Sequence, residues 1–274
     1  MKKHMTIAAF LAAGAAFSDA AVETELLWGL DFTSDTLELS AGTGTWVYGS
    51  GMIDTTDGAV DGAGSYSTGG TFDGALKFTA SGDTDALNKQ TGAFTLSFHA
   101  KWDGESTNPQ ENNRWPVLAS FGEDDRYCAQ VNFAGDSAGN QNIGSTGTYG
   151  LASVGYNFSG NTRGDSVTLD DDWHHFVVTF QGSGSSDGTA TLTLYVDGAS
   201  TATVNWTGSG LDDDPMTAFF FGGHISNDRN NANMSFSDIA VYKGVLESDQ
   251  IAYLGSNKAN ASAIPEPSAF GLLA

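Results

Sequence analysis

The strongest constraint on how this chain can fold is an alternation of period two. From Phe94 to Trp102, the apolar Phe94, Leu96, Phe98, Ala100 and Trp102 interleave with Thr95, Ser97, His99 and Lys101. Successive side chains of a strand point to opposite faces, so this pattern predicts a half-buried antiparallel strand. Trp173 to Phe180 sets His174, Phe176, Val178 and Phe180 against Trp173, His175, Val177 and Thr179. Both of its faces are largely apolar or aromatic, which predicts a central strand covered on each side. From Thr191 to Asp197, Leu192, Leu194 and Val196 share one face. Asp197-Gly198 then offers a two-residue hairpin turn, because both positions tolerate positive φ, and Thr201 to Trp206 is the returning strand.

Further strands are predicted at Glu25 to Phe32, Ala75 to Thr79, Pro116 to Phe121, Ala129 to Phe133, Ala152 to Phe158, Thr217 to Phe221 and Ser235 to Tyr242. Clusters of Gly, Asn and Asp separate them. A short helix is predicted over about Glu247 to Leu254, where Leu246, Ile251 and Leu254 share a face; Glu247 or Ser248 opens it and Gly255 ends it. So many strands without helical crossovers require an antiparallel two-sheet sandwich, since parallel pairs need long connections. The expected fold class is all-β, a single large jelly roll with one short C-terminal helix.

Composition agrees and excludes some partners. Of 274 residues, 40% are hydrophobic, enough for a sizeable core, and Gly at 35 against Pro at 5 fits a protein of many turns. Only 16% are charged, so Ser, Thr, Asn, Gly and Asp must cover the surface, as in a secreted β protein. With 33 acids against 11 bases, the net charge of -22 repels phosphates and excludes nucleic acid as a partner, while divalent cations stay open. The single cysteine, Cys128, rules out an internal disulfide and a Cys-based zinc site. It reads as a small buried hydrophobe.

Both ends read as addresses. Met1-Lys2-Lys3-His4, an apolar run from about Ile7 to Phe17, then Ser18-Asp19-Ala20-Ala21 form a secretory signal peptide over residues 1–20, with cleavage after Ala20. A membrane anchor is the alternative, but the run of about 11 residues falls well short of the ~20 that span a bilayer. At the other end, a polar linker (256–263) precedes Ile264-Pro265-Glu266-Pro267-Ser268 and an apolar stretch to Ala274. The tripeptide Pro265, Glu266, Pro267 resembles the start of a PEP-CTERM sorting signal of Gram-negative exporters. The resemblance implies a sorting protease or transpeptidase as a partner and a cell-surface or extracellular destination, with transient membrane anchoring through the tail. The apolar helix and Arg cluster that follow in that family are not in this sequence, and a proline-rich tail is the alternative reading.

The body, residues 21–255, resembles the LamG-like (concanavalin A-like) jelly rolls. Trp173-His174-His175-Phe176-Val177-Val178-Thr179-Phe180 and Leu192-Thr193-Leu194-Tyr195-Val196-Asp197-Gly198 look like their core strands. Phe72-Asp73-Gly74-Ala75-Leu76-Lys77-Phe78 resembles an earlier strand. Phe236-Ser237-Asp238-Ile239-Ala240-Val241-Tyr242, then Val245 to Leu254, resembles the closing strand and helix. The resemblance implies two curved sheets, a concave face that often meets glycans, and in many members a structural Ca2+ tying the first strand to the last. By that resemblance Asp31 and Asp238 are the calcium candidates, with a salt-bridge or turn role for both as the alternative.

Catalytic chemistry finds no motif. Retaining glycosidases of this fold carry Glu-x-Asp-x-x-Glu along one strand, because nucleophile and acid must sit about 5 Å apart on one face. No glutamate here begins that motif, and Glu123-Asp124-Asp125 is adjacent rather than alternating. His174 and His175 point to opposite faces of a strand and cannot converge on one ion, so they read as structural, while His99 and His224 are isolated in sequence. No serine or cysteine has a recognisable neighbouring base. Asp170-Asp171-Asp172 and Asp212-Asp213-Asp214 read as solvated turns, without EF-hand spacing.

The segments Glu105 to Trp115 and Gly135 to Gly164 are rich in Asn, Gly, Ser and Tyr. Sugar sites of jelly rolls stack aromatic faces on pyranose rings, so Trp115, Tyr127, Tyr149, Tyr156 and Arg163 are the glycan-binding candidates; core packing is the alternative for each aromatic. The leading expectation is an exported, non-catalytic glycan-binding or adhesion protein. A structural envelope or matrix protein without a small ligand is the second reading, and a carbohydrate-active enzyme is the third.

Overall fold

The computed structural model describes residues 25–35, 39, 42–48, 50–69, 74–82, 84–103, 117–123, 126–134, 146–153, 160–168, 172–185, 189–207, 213–223, 233–258 and 264. Among them the alternating segments become strands, in chain order β1 (Leu26–Leu30), β2 (Gly44–Tyr48), β3 (Met52–Asp54), β4 (Ser65–Ser67), β5 (Leu76–Ala80), β6 (Ala93–Trp102), β7 (Val117–Glu123) and β8 (Arg126–Ala134). They continue with β9 (Thr146–Ser153), β10 (Gly160–Thr168), β11 (Trp173–Gly182), β12 (Thr189–Val196), β13 (Ala199–Thr207), β14 (Ala218–Phe221) and β15 (Met234–Lys243), and the helix α1 spans Ser248–Leu254. Every pairing is antiparallel, as the absence of helical crossovers in the sequence requires.

Two sheets result. Sheet I runs β13-β12-β11-β6-β15-β4-β3, with β1 also paired to β15; sheet II runs β10-β9-β8-β7-β14-β5-β2. This is the two-sheet jelly-roll sandwich that the alternation predicts. The strand Trp173–Gly182 is central, between β6 and β12, and from His175 to Phe180 it is buried on both faces. Its dual apolar faces announced this position.

The core lies between the sheets and is largely phenylalanine. Phe94 stacks on Phe180 (5.2 Å between centroids) and Phe98 on Phe176 (5.4 Å) within sheet I. Across the gap, Phe98 meets Phe221 edge-on at 5.6 Å and Phe94 meets Phe121 at 5.7 Å. Offset and edge-to-face rings place the positive edge of one on the negative face of another, worth about 0.5–1.5 kcal/mol per pair beyond area burial. Trp28 of β1 closes one side, packed on Phe78 at 4.1 Å and edge-on to Trp46.

The outer face of sheet I is covered as well. Val177, Ala240 and Tyr242 point away from the core and are sealed by Leu246, Ile251 and Leu254 of α1 and its approach, and by Ile264. The Glu247 N–H donates to Gln250 Oε1, fixing the helix start. At its end Gly255 packs close to the sheet: a Cβ there would stand 3.3 Å from Nδ1 of His175, a tight contact. The β12–β13 turn carries positive φ at Asp197 (51°) and Gly198 (79°), as the dipeptide predicts.

Several strands were invisible to the sequence reading. The β2, β3 and β4 strands are three to five residues long and lie at or near the sheet edge, too short for an alternation to register. All of β9 and the first half of β10 lie within the Gly- and Ser-rich stretch, where side-chain hydrophobicity carries no period. The strand expected over Ala152 to Phe158 instead starts at Thr146, and only its first two expected residues lie in β9.

Candidate functional site

Sheet II has an outer face too, and it is built differently. Leu76, Phe78, Phe219, Phe221, Phe121, Ala129 and Val131 fill the core, so the residues alternating with them face outward. Register sets Val47 beside Lys77, Lys77 beside Phe220, Phe220 beside Ser120, and Ser120 beside Gln130. At ~4.8 Å per strand, the row from Lys77 to Gln130 covers roughly 14 Å. Val47 is exposed, Lys77 and Phe220 are half-buried, and Ser120 is fully buried. The Lys77 Nζ lies 5.2 Å from the Phe220 ring centroid, a cation–π contact. Ser120 Oγ donates to the Gly223 carbonyl at 3.3 Å. At the other end of the row Gln130 is half-buried, and its Oε1 is buried with no hydrogen-bond partner. An acceptor left this way costs about 1–3 kcal/mol, which a ligand O–H recovers once the side chain turns outward.

An apolar ring, a cation and a partnerless acceptor thus share one outer row, the mix that a hydroxyl-rich ring presents in mirror image. None of Lys77, Phe220 and Gln130 was singled out from the sequence. Phe220 sits in Ala218–Phe221, a run of three consecutive phenylalanines, and the parity of that strand is the signal that sets it apart from its two core neighbours.

The expected glycan residues are placed as follows. Trp115 and Tyr156 lie outside the described residues, as do the side chains of Tyr127, Tyr149 and Arg163. The backbones of those three belong to β8, β9 and β10, neighbouring strands of sheet II. Tyr149 is opposite Phe133 and Arg163 is opposite Gly150, so these two backbone positions come close. Tyr127 is opposite Gly122 at the far end of β8, on the order of 20 Å from Phe133. Sheet II carries these three backbones, but not at one point.

The histidines differ from expectation in one respect. His174 Nδ1 bonds Asp197 Oδ2 at 2.8 Å, and His175 turns to the other face, as alternation requires. His99, isolated in sequence, stacks on His175 with ring centroids 4.6 Å apart. Cross-strand register brings them together, and that register is unreadable before the strands are paired. Burial holds the His99 imidazolium down to about 4; burial and the neighbouring His99 hold His175 down to about 3.

Glu123 closes an ion pair with the buried Lys89. Asp213 and Asp214 are exposed, in keeping with a solvated turn. Leu30 of β1 faces Ile239 of β15, the last pair of that ladder, and Asp31 and Asp238 are the residues that adjoin it in the chain. Asp31 Oδ1 accepts from Thr33 N and Oγ1, and Oδ2 pairs with Lys258 Nζ at 3.3 Å. Asp238 is buried at a bulge with φ 49°. Among the described residues no three His, Cys, Asp or Glu side chains group as a metal site. The N-terminal segment and Pro265-Glu266-Pro267 lie outside the described residues. Among those described, no helix is long and apolar enough to cross a membrane.

Residues 69–252, about two thirds of the chain, match the family described as the concanavalin A-like lectin/glucanases superfamily. No curated protein matches the sequence. Among solved structures, the chain is similar to the binding domain of botulinum neurotoxin serotype G (13% identity, TM-score 0.55, covering 84% of this chain and 50% of that one). It is also similar to the serotype D ligand binding domain in complex with N-acetylneuraminic acid (12%, TM-score 0.53, 84% and 50%). The binding domain of Paraclostridial Mosquitocidal Protein 1 is a third (12%, TM-score 0.56, 84% and 52%). The chain spans about half the length of these structures, and at such identities the likeness is one of fold.

Proposed function

Because the chain belongs to the concanavalin A-like lectin/glucanases superfamily, we propose that it is a non-catalytic glycan-binding or adhesion protein, working outside the cytoplasm. The observation that carries this reading is the outer row of sheet II, where a half-buried Phe220 ring lies beneath the Lys77 ammonium, which a sugar ring must displace, and Gln130 Oε1 has no donor. A sugar ring supplies both complements, a C–H face for the aromatic and hydroxyl donors for the amide oxygen. The solved structure with N-acetylneuraminic acid supports the same use of the fold in another protein, although one fold hosts many functions.

A glycan array with wild type, Phe220→Ala, Gln130→Leu and Trp115→Ala tests the reading. Binding by wild type that is lost in the first two variants is expected. No binding to any glycan ends the proposal in favour of a structural envelope or matrix role, and release of reducing ends from a polysaccharide replaces it with an enzyme.

Export rests on residues 1–20 and sorting on Pro265-Glu266-Pro267; sequencing of envelope or medium protein should start at Ala21 or Val22, and an intact Met1 in the cytoplasm removes export. For a structural calcium, the supporting fact is that Asp31 and Asp238 each adjoin the Leu30–Ile239 pair that ends the β1–β15 ladder. An ion there must displace the Lys258 ammonium from Asp31 and find the rest of six to eight oxygens. A melting temperature unmoved by excess chelator removes it.

A further inference from the structure

The outer face of sheet I carries an arrangement that glycan binding does not use. His99 of β6 and His175 of β11 face each other in register, and their rings stack at 4.6 Å with 26° between planes. Both are 3% exposed, and both keep Nδ1 buried without a partner. Ser97 Oγ bonds His175 Nε2 at 2.9 Å, and His99 Nε2 lies 3.5 Å from the Gly255 carbonyl. The end of α1 lies over them, Gly255 standing against the His175 ring.

Neutral imidazoles tolerate this site and imidazolium ions do not. Two cations 4.6 Å apart repel, and each new Nδ1–H would be a buried donor with no acceptor. Charged groups on the surrounding elements do not offset this. Lys101 on β6 adds positive charge and is held by Asp57. On β11 and the β12–β13 turn, Asp197 favours protonation, but its oxygens are taken by His174 Nδ1 and His175 N. The β15 strand presents Asp238 and Tyr242, α1 brings Glu247, Asp249 and Tyr253, and Lys258 beyond it pairs with Asp31. What holds the covering segment down is the apolar cluster with Ile251, Leu254 and Ile264, the bond from Leu246 N to Thr95 Oγ1, and the Lys258–Asp31 pair.

We propose that α1 with Gly255 to Lys258 forms an acid-released cap, which protonation of the His99–His175 pair lifts from the outer face of sheet I while the sandwich stays folded. The sign follows from linkage. A solvated imidazole titrates near 6.5, whereas in the closed state these rings stay neutral down to about 4 and about 3. Closure is therefore fully favoured above about pH 6.5 and weakens as pH falls through the window towards those values. Between pH 7.5 and pH 5.0 each ring shifts the opening equilibrium about 30-fold, and the pair on the order of 1,000-fold.

Amide hydrogen exchange of the full chain at pH 7.5 and 5.0, corrected for intrinsic rates, reads this. The Ile251 and Gly255 amides, bonded to the carbonyls of Glu247 and Ile251, should lose protection on the order of 1,000-fold at pH 5.0, while those of Phe98 and Val178 keep theirs. Equal loss in helix and core, or no loss in the helix, overturns the proposal. In His99→Gln the factor should fall to about 30-fold; an unchanged factor also overturns it. Ring C2 deuteration of wild-type histidines needs no variant. His99 and His175 should gain exchange in step with the Ile251 amide, and titration of either ring with α1 still protected sinks the cap.

Discussion

The two outer faces of the sandwich are made from the same alternation and put to opposite uses. On sheet I the outward residues are Val177, Ala240, Tyr242 and two histidines, and α1 with Ile264 seals them. On sheet II they are the exposed Val47, the half-buried Lys77, Phe220 and Gln130, and the buried Ser120, with an acceptor unpartnered. Sealing satisfies area, so sheet I gains stability from its outer face. Unpartnered polar atoms cost stability on both faces, Nδ1 of His99 and of His175 beneath α1 and Oε1 of Gln130 on sheet II, so what separates the faces is the apolar cover that only sheet I carries among the described residues.

Four substitutions put this contrast at risk, in falling order of size. Ile251→Ala empties a fully buried position under the cap and should cost about 2–5 kcal/mol in a urea titration. Glycan binding should survive it; joint loss would mean that the faces are not independent. Asp197→Ala, next, leaves the His175 N–H without its acceptor at 2.9 Å and sets alanine at φ 51°, for about 1–3 kcal/mol. Asp197→Asn should restore most of it, because asparagine accepts that φ.

Asp197 also has a pH signature. Burial alone would raise its carboxyl, but the bonds from His174 and the His175 N–H outweigh it and hold the group below the usual range. Its contribution is thus present above about pH 3.8 and lost as pH falls towards the folded value, at the acid end of the window of the histidine cap. An acid melt of Asp197→Asn should lack this last step.

On the other sheet the signs invert. Gln130→Leu removes a buried partnerless oxygen and should hold or raise stability by about 1 kcal/mol while glycan binding falls. A destabilised Gln130→Leu would show that the oxygen had a partner after all. The smallest effect on stability belongs to Phe220→Ala, about 0.5–1 kcal/mol for a half-buried ring released from Lys77, measured beside a full loss of binding. A larger penalty would make Phe220 a core residue and remove the contrast.

Most of the fold was legible because the long strands carry their burial in their parity. Phe94 to Trp102 and Trp173 to Phe180 could be assigned inward and outward faces residue by residue, and Asp197-Gly198 named its turn. The site was less so. His99 and His175 are 76 positions apart in the chain, and only pairing of β6 with β11 makes them neighbours. Gln130 and Phe220 are similar: each belongs to a strand correctly placed, but the row they share exists across five strands and has no footprint in local sequence. The aromatic candidates Tyr127 and Tyr149 were chosen by composition, which knows nothing of strand ends, and β8 sets them at opposite ones.

The pairing of β1 with β15 has a mechanical consequence. Leu26 lies opposite Tyr242, and Lys243 Nζ reaches Glu25 at the same end of the ladder. The chain therefore enters and leaves sheet I at one corner. Tension applied between residue 25 and the segment after Lys243 pulls on that corner alone, so the bonds of the ladder open in succession, each bearing the load in turn. Such a zipper yields at low force where a sheared ladder of equal length would hold, and a tethered molecule would lose the Trp28 packing on Phe78 as β1 peels away.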